Sequence, residues 1–197
     1  LADGVNAALK HFGRPERTLD EVRQFVGNGV LNLMERAVPE GTPVEEIDRV
    51  HETFTAHYKV HCADKTRPYD GIMELLQNLK KDGCKLAVVS NKADYGVQEL
   101  CKQYFDGVFD FAVGEREGIR KKPAPDSVNE VLKTLECSRD RAVYIGDSDV
   151  DIQTAANAQM DHIIVEWGFR DIPFLISKGA KVLVEKPEEI LEIVEGR

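Results

Sequence analysis

The chain has 197 residues, with 26 Lys and Arg against 35 Asp and Glu, a formal charge of −9, and 42% hydrophobic and 31% charged residues. That length suits one substantial core with room for a small second domain or a large insertion. The acidic balance argues against a general nucleic-acid surface, no apolar run reaches the about 20 residues of a bilayer span, and any anionic small-molecule partner must be held locally.

Residues 1 to about 62 read as helices without strands. Val5, Ala8, Leu9 and Phe12 recur at helical spacing before Gly13 ends the run. Thr18 and Glu21 form a capping box ahead of Val22, Phe25 and Val26. Gly27-Asn28-Gly29 separates that helix from one over Val30 to Ala37. Thr42, Pro43 and Glu45 signal another start, and Ile47, Val50, Phe54 and Tyr58 carry this helix towards Cys62. Lys65 to Gly71 reads as a linker and a turn. A helical domain over 1–65 and a second domain over 66–197 are expected.

Beyond the linker, strands and helices alternate. A helix from about Ile72 to Lys81 precedes a strand Lys85–Val89, and a helix near Gly96 to Gln103 precedes a strand Val108–Val113. A helix near Ser127 to Leu135 leads to a strand at 141–145, a carboxylate-bearing helix leads to His162–Val165, and a short Val182–Val184 precedes a closing acidic helix over Ile190, Leu191 and Val194. This is the pattern of an α/β protein with a doubly wound, Rossmann-like parallel sheet.

Three places carry chemistry. In Val143-Tyr144-Ile145-Gly146-Asp147-Ser148-Asp149-Val150-Asp151 an apolar run stops in a cluster of carboxylates. Ligands of parallel sheets lie just beyond the carboxyl ends of the strands. Asp147 and Asp151, one helical turn apart, can converge on Mg2+ while leaving room for water and a substrate phosphate; the plain alternative is an Asp/Ser N-cap with surface acids. Val88-Val89-Ser90-Asn91-Lys92 ends a strand on a hydroxyl and an amide, which with backbone N–H groups can seat a phosphate or form a simple turn. Lys121-Lys122-Pro123-Ala124-Pro125-Asp126 sets Lys122 in backbone restrained by prolines, so that it points into a site or lies in a solvated loop.

Other features read plainly. Cys62, Cys84, Cys101 and Cys137 are widely spaced, with no metal or disulfide pattern, which fits reduced thiols in a cytoplasmic protein. His57 and His61 read as a surface pair on a helix, and Trp167, Gly168 and Phe169 as packing near the end of the sheet.

Together, in this order on alternating elements, Ser90, Lys122 and the Asp147/Asp151 pair resemble motifs two, three and four of the haloacid dehalogenase superfamily. Within the helical segment, Val26 to Val30 followed by Leu33 to Ala37 resembles the phosphoglycolate phosphatase branch. The resemblance makes residues 1–65 the helical cap inserted in the core. It implies a magnesium-dependent phosphatase that transfers the phosphoryl group of a small phosphomonoester, phosphoglycolate foremost, through an aspartyl-phosphate. Lys122 would neutralise charge, Ser90 would orient the phosphate with Asn91 and Ser148 as secondary contacts, and Asp147 would bind magnesium. Asp151 would either bind the ion through water or hold Lys122, and Asp149 would face water at the helix start. Gly27-Asn28-Gly29 would serve as hinge or substrate contact.

The family's Asp-x-Asp motif, carrying nucleophile and general acid, is expected just before Leu1, on a strand and loop of about 15–20 residues. That first core strand belongs between the strands ending at Ser90 and Asp147, and a protein lacking it should be inactive and poorly folded. A sugar phosphomutase of the β-phosphoglucomutase type and a catalytically dead binding relative are the alternatives. A dehalogenase does not need the cation.

Overall fold

The computed structural model describes residues 1–26 and 29–196, which divide into two compact units, Leu1–Thr66 and Arg67–Arg197. No helix among the described residues is long and apolar enough to cross a membrane.

The first unit consists of helices α1 (Ala2–His11), α2 (Leu19–Phe25), α3 (Val30–Ala37) and α4 (Val44–His61). Its core is the set that helical spacing selects: Val5, Leu9, Met34, Val50 and Phe54 are almost wholly buried and pack together. The capping box is present, with the Thr18 hydroxyl accepting from the Glu21 N–H at 3.2 Å and Glu21 Oε2 accepting from the Thr18 N–H at 2.7 Å. Thr18→Ala leaves a first-turn N–H without this partner and should lower stability by about 1 kcal/mol, seen as an earlier urea midpoint. Gly29 caps α3 at φ 98°, while Gly27 and Asn28 of the expected hinge lie outside the described residues.

In the second unit the elements are α5 (Ile72–Lys81), β1 (Ala87–Ala93), α6 (Asp94–Tyr104), β2 (Phe111–Glu115), α7 (Asp126–Thr134), β3 (Val143–Gly146), α8 (Asp149–Asn157), β4 (Asp161–Val165), α9 (Ile172–Ser177), β5 (Leu183–Val184) and α10 (Pro187–Glu195). All strand pairs are parallel, in the orders β1-β2 and β3-β4-β5. Successive strand residues point to opposite faces, so Ile163 packs with Leu75 of α5 and Ile190 of α10, whereas Ile164 packs with Ile152 of α8 and Leu175 of α9. Helices on both faces of parallel strands make the unit a doubly wound α/β core.

Among the differences from the sequence reading, three stand out. First, β1 does not stop at Val89 but continues to Ala93, with its pairing to β2 interrupted between Val89 and Ala93. Ser90 to Lys92 thus sit in a bulge, a device that re-aims side chains beside sites. Second, β2 starts at Phe111 rather than Val108, because Asp110 accepts the Leu86 N–H and pairs with Lys80, fixing the chain before the ladder begins. Third, the sequence reading missed α9, although Asp171 caps it by accepting from the Phe174 N–H and a proline sits in its first turn.

The layer has a seam. Leu86, just ahead of β1, shares a cluster with Val143 of β3, and on the other face Val89 shares one with Tyr144. Yet among the described residues β1 pairs only with β2, and β3 only with β4. All seven residues of β1 are only half-buried and Ile145 is 41% exposed, unlike the strands of a parallel sheet covered on every side.

Candidate active site

The carboxyl ends of β1 and β3 carry the polar residues. Gly146 ends β3, and Ser148 begins α8 as its N-cap, its hydroxyl accepting from the Asp151 N–H. The same hydroxyl donates to Asp151 Oδ2 at 2.6 Å. The N-cap reading and the site reading therefore coexist, because capping the helix also aims the carboxylate.

Asp151 is 5% exposed and all of its acceptor capacity is in use. Oδ2 accepts from Ser148 Oγ and from the Asp147 N–H at 3.2 Å, while Oδ1 accepts from Lys122 Nζ at 2.8 Å and from the Tyr144 hydroxyl at 3.1 Å. Burial would raise its pKa, but the Lys122 charge and these donors outweigh burial and hold the carboxyl below its usual range. Gly146 permits this approach, since a Cβ there would stand 2.3 Å from the Asp151 Cβ.

Lys122 comes from the loop between β2 and α7. Asn91 fixes its backbone from β1, donating to the Lys122 carbonyl at 3.0 Å and accepting its N–H at 2.8 Å. Asn157 of α8 donates to the neighbouring Pro123 carbonyl at 2.8 Å. The side chain is 14% exposed and runs to Asp151 and the Tyr144 hydroxyl. Burial opposes its charge, but Tyr144 and Asp151 more than reverse that effect and raise its pKa, so it stays an ammonium throughout the neutral range. Ser90 lies in the bulge next to Asn91, its Oγ accepting the Lys92 N–H at 3.1 Å.

Asp147 occupies a different electrostatic position. Oδ2 accepts from the Phe169 N–H at 2.9 Å. Burial raises its pKa and the Asp151 charge adds to this, with only partial relief from Phe169 and Lys122. A half-buried carboxylate whose ionisation is opposed in this way is suited to a cation. No group of three or more His, Cys, Asp or Glu among the described residues could hold a metal alone. Magnesium commonly takes one or two protein carboxylates, with water and substrate phosphate completing its shell, and Asp147 fits that role. The loop after β4 supports it: a Cβ on Gly168 would lie 2.1 Å from the Asp147 Cβ. Gly168→Ala must therefore displace Asp147, and we expect about tenfold weaker magnesium binding, measured as the ion concentration needed to raise the unfolding midpoint.

The fold thus joins Asn91, Lys122, Ser148, Asp147 and Asp151 in one bonded network, with Ser90 beside it. Asp149 does not simply face water, since it pairs with Arg170 at 3.5 Å. His57 and His61 stand with ring centroids 4.4 Å apart in the helical unit, where His61 also contacts Asp64. The sequence reading gave no role to Tyr144, Gly146 or Asn157, and read Gly168 and Phe169 as packing near the sheet's end in a loop that, in the family resembled, can border the site. A lone phenol in an aliphatic strand and glycines at strand ends were the available signals.

Comparison with known proteins gives the same direction. The profile of the haloacid dehalogenase-like hydrolases matches residues 1–165. Phosphoglycolate phosphatase of Aquifex aeolicus is 30% identical, over 100% of this chain and 89% of its own length. That of Psychrobacter arcticus is 34% identical, over 86% and 77%. The crystal structure of a candidate phosphoglycolate phosphatase from Lactobacillus delbrueckii subsp. bulgaricus superposes with a TM-score of 0.93 at 41% identity, covering 98% of this chain and 90% of that one.

Proposed function

Since the chain belongs to the haloacid dehalogenase-like hydrolases, we propose that it is a magnesium-dependent phosphatase of small phosphomonoesters, phosphoglycolate foremost, working through an aspartyl-phosphate. The observation that carries this reading is the buried Lys122–Asp151 pair, 2.8 Å apart, beside a second carboxylate whose ionisation is disfavoured. One fixed cation and one cation-seeking carboxylate at the ends of parallel strands suit a doubly charged phosphate ester.

In this reading Lys122 donates to phosphoryl oxygens and Ser90 orients the phosphate with its hydroxyl and neighbouring N–H groups. Asn91 acts by holding Lys122, both of its amide groups being engaged with that backbone. Asp151 fixes the ammonium, and Asp147 supplies an oxygen to the ion. Bound magnesium would neutralise phosphate charge and align it with the nucleophile. The nucleophile and general acid are assigned to an Asp-x-Asp strand preceding Leu1, for which the seam between β1 and β3 is the natural place. The helical unit is assigned as the cap, and a cytoplasmic setting follows the reading of four reduced thiols.

Phosphorus NMR on the full chain, with any residues that precede Leu1, tests the proposal. With magnesium, inorganic phosphate should appear from phosphoglycolate. Interconversion of hexose 1- and 6-phosphates without phosphate release would make the protein a mutase. No turnover of either substrate would leave a binding role.

A further inference from the structure

Tyr144 is the one buried group of the site without a part in the reading above. The residue is 8% exposed and its ring packs with Val128, Leu132, Ala155 and Ala158, a role that phenylalanine would fill equally well. The hydroxyl is different. It lies 3.2 Å from Lys122 Nζ and 3.1 Å from Asp151 Oδ1, closing a triangle whose third side is the 2.8 Å ion pair.

The protons in this triangle have only one arrangement. An ammonium only donates and a carboxylate only accepts. The phenol must therefore give its proton to Asp151 and accept one from Lys122. The inward side of the ammonium is then committed to these two oxygens, and the protons left over point away from them, towards a ligand. Without the hydroxyl, the ammonium is fixed by a single side-chain partner and can rotate about that bond.

We propose that Tyr144 is a positioning residue that sets the direction of the Lys122 proton offered to the phosphoryl group, an inference that rests on the phosphatase reading. The contribution belongs to the transition state more than to binding, because alignment with the transferring group matters most when its charge is redistributing.

The test is Tyr144→Phe in the full chain, with p-nitrophenyl phosphate and magnesium. We expect kcat to fall about tenfold, the scale of one hydrogen bond to a charged group, with KM within about twofold. The unfolding midpoint should move by no more than about 3 °C, as for the loss of one hydrogen bond in a chain of this size. In an Asp151→Ala background, where the acceptor is gone and the triangle is already open, the same change should have little further effect on kcat. Unchanged kcat, losses that multiply in the double variant, or a loss matched by a larger fall in midpoint would each overturn the inference. An inactive wild-type protein would instead count against the phosphatase reading.

Discussion

Lys122→Met should lower kcat for phosphomonoester hydrolysis by about a thousandfold, the scale seen when a preorganised donor to developing charge is removed. Methionine keeps most of the stem's volume, so the loss reports charge rather than shape. The same change should also destabilise the protein. Asp151 would keep Ser148, Tyr144 and a backbone N–H as donors but lose its counter-charge at 5% exposure, and stranding one member of a buried pair costs about 3–5 kcal/mol. Adding Asp151→Asn to Lys122→Met should recover much of that stability and none of the activity. Chemical denaturation and initial rates on the three variants separate the two effects.

Asp147→Asn should abolish magnesium-dependent turnover while making the metal-free protein more stable, by about 1 kcal/mol. The sign follows from the direction of the pKa shift. Burial first, and the Asp151 charge with it, raises the Asp147 carboxyl above its ordinary value. A raised pKa means that the folded state holds the proton more tightly than the unfolded chain. Its stabilising effect is complete below the ordinary carboxylate range and disappears as pH rises through the folded value, so at neutral pH the ionised side chain is a burden. An uncharged amide relieves it. Below the carboxylate range the advantage of the variant should vanish, and thermal unfolding at both pH values without metal measures this. The wild-type protein should gain stability on adding magnesium and the variant should not, because ligand binding to the folded state alone is what raises the midpoint.

Much of this organisation was legible in the residues. Helical spacing located α1 and α4, because an apolar stripe such as Val5, Ala8 and Leu9 has no other simple use, and a capping box and a glycine turn located α2 and α3. The alternation after Gly71 gave the doubly wound core, and the carboxylates after Gly146 marked the end of β3. The division of labour between the two acids was not legible. Sequence spacing makes Asp147 and Asp151 look equivalent, whereas the fold surrounds one with donors and a cation and gives the other chiefly the N–H of Phe169, too little to offset burial. That difference arises from Lys122, 29 positions from Asp151, and from the Gly168 loop, neither of which local pattern can connect. The bulge at Ser90 was hidden for the same reason, since it exists only in the register with β2.

The most direct measurement is phosphate release from phosphoglycolate by the full chain as magnesium is titrated, wild type beside Lys122→Met at equal protein concentration. Saturable, magnesium-dependent release by the wild type and a rate about a thousandfold lower for the variant are expected. Equal rates for the two proteins, or release that ignores magnesium, would contradict the phosphatase reading.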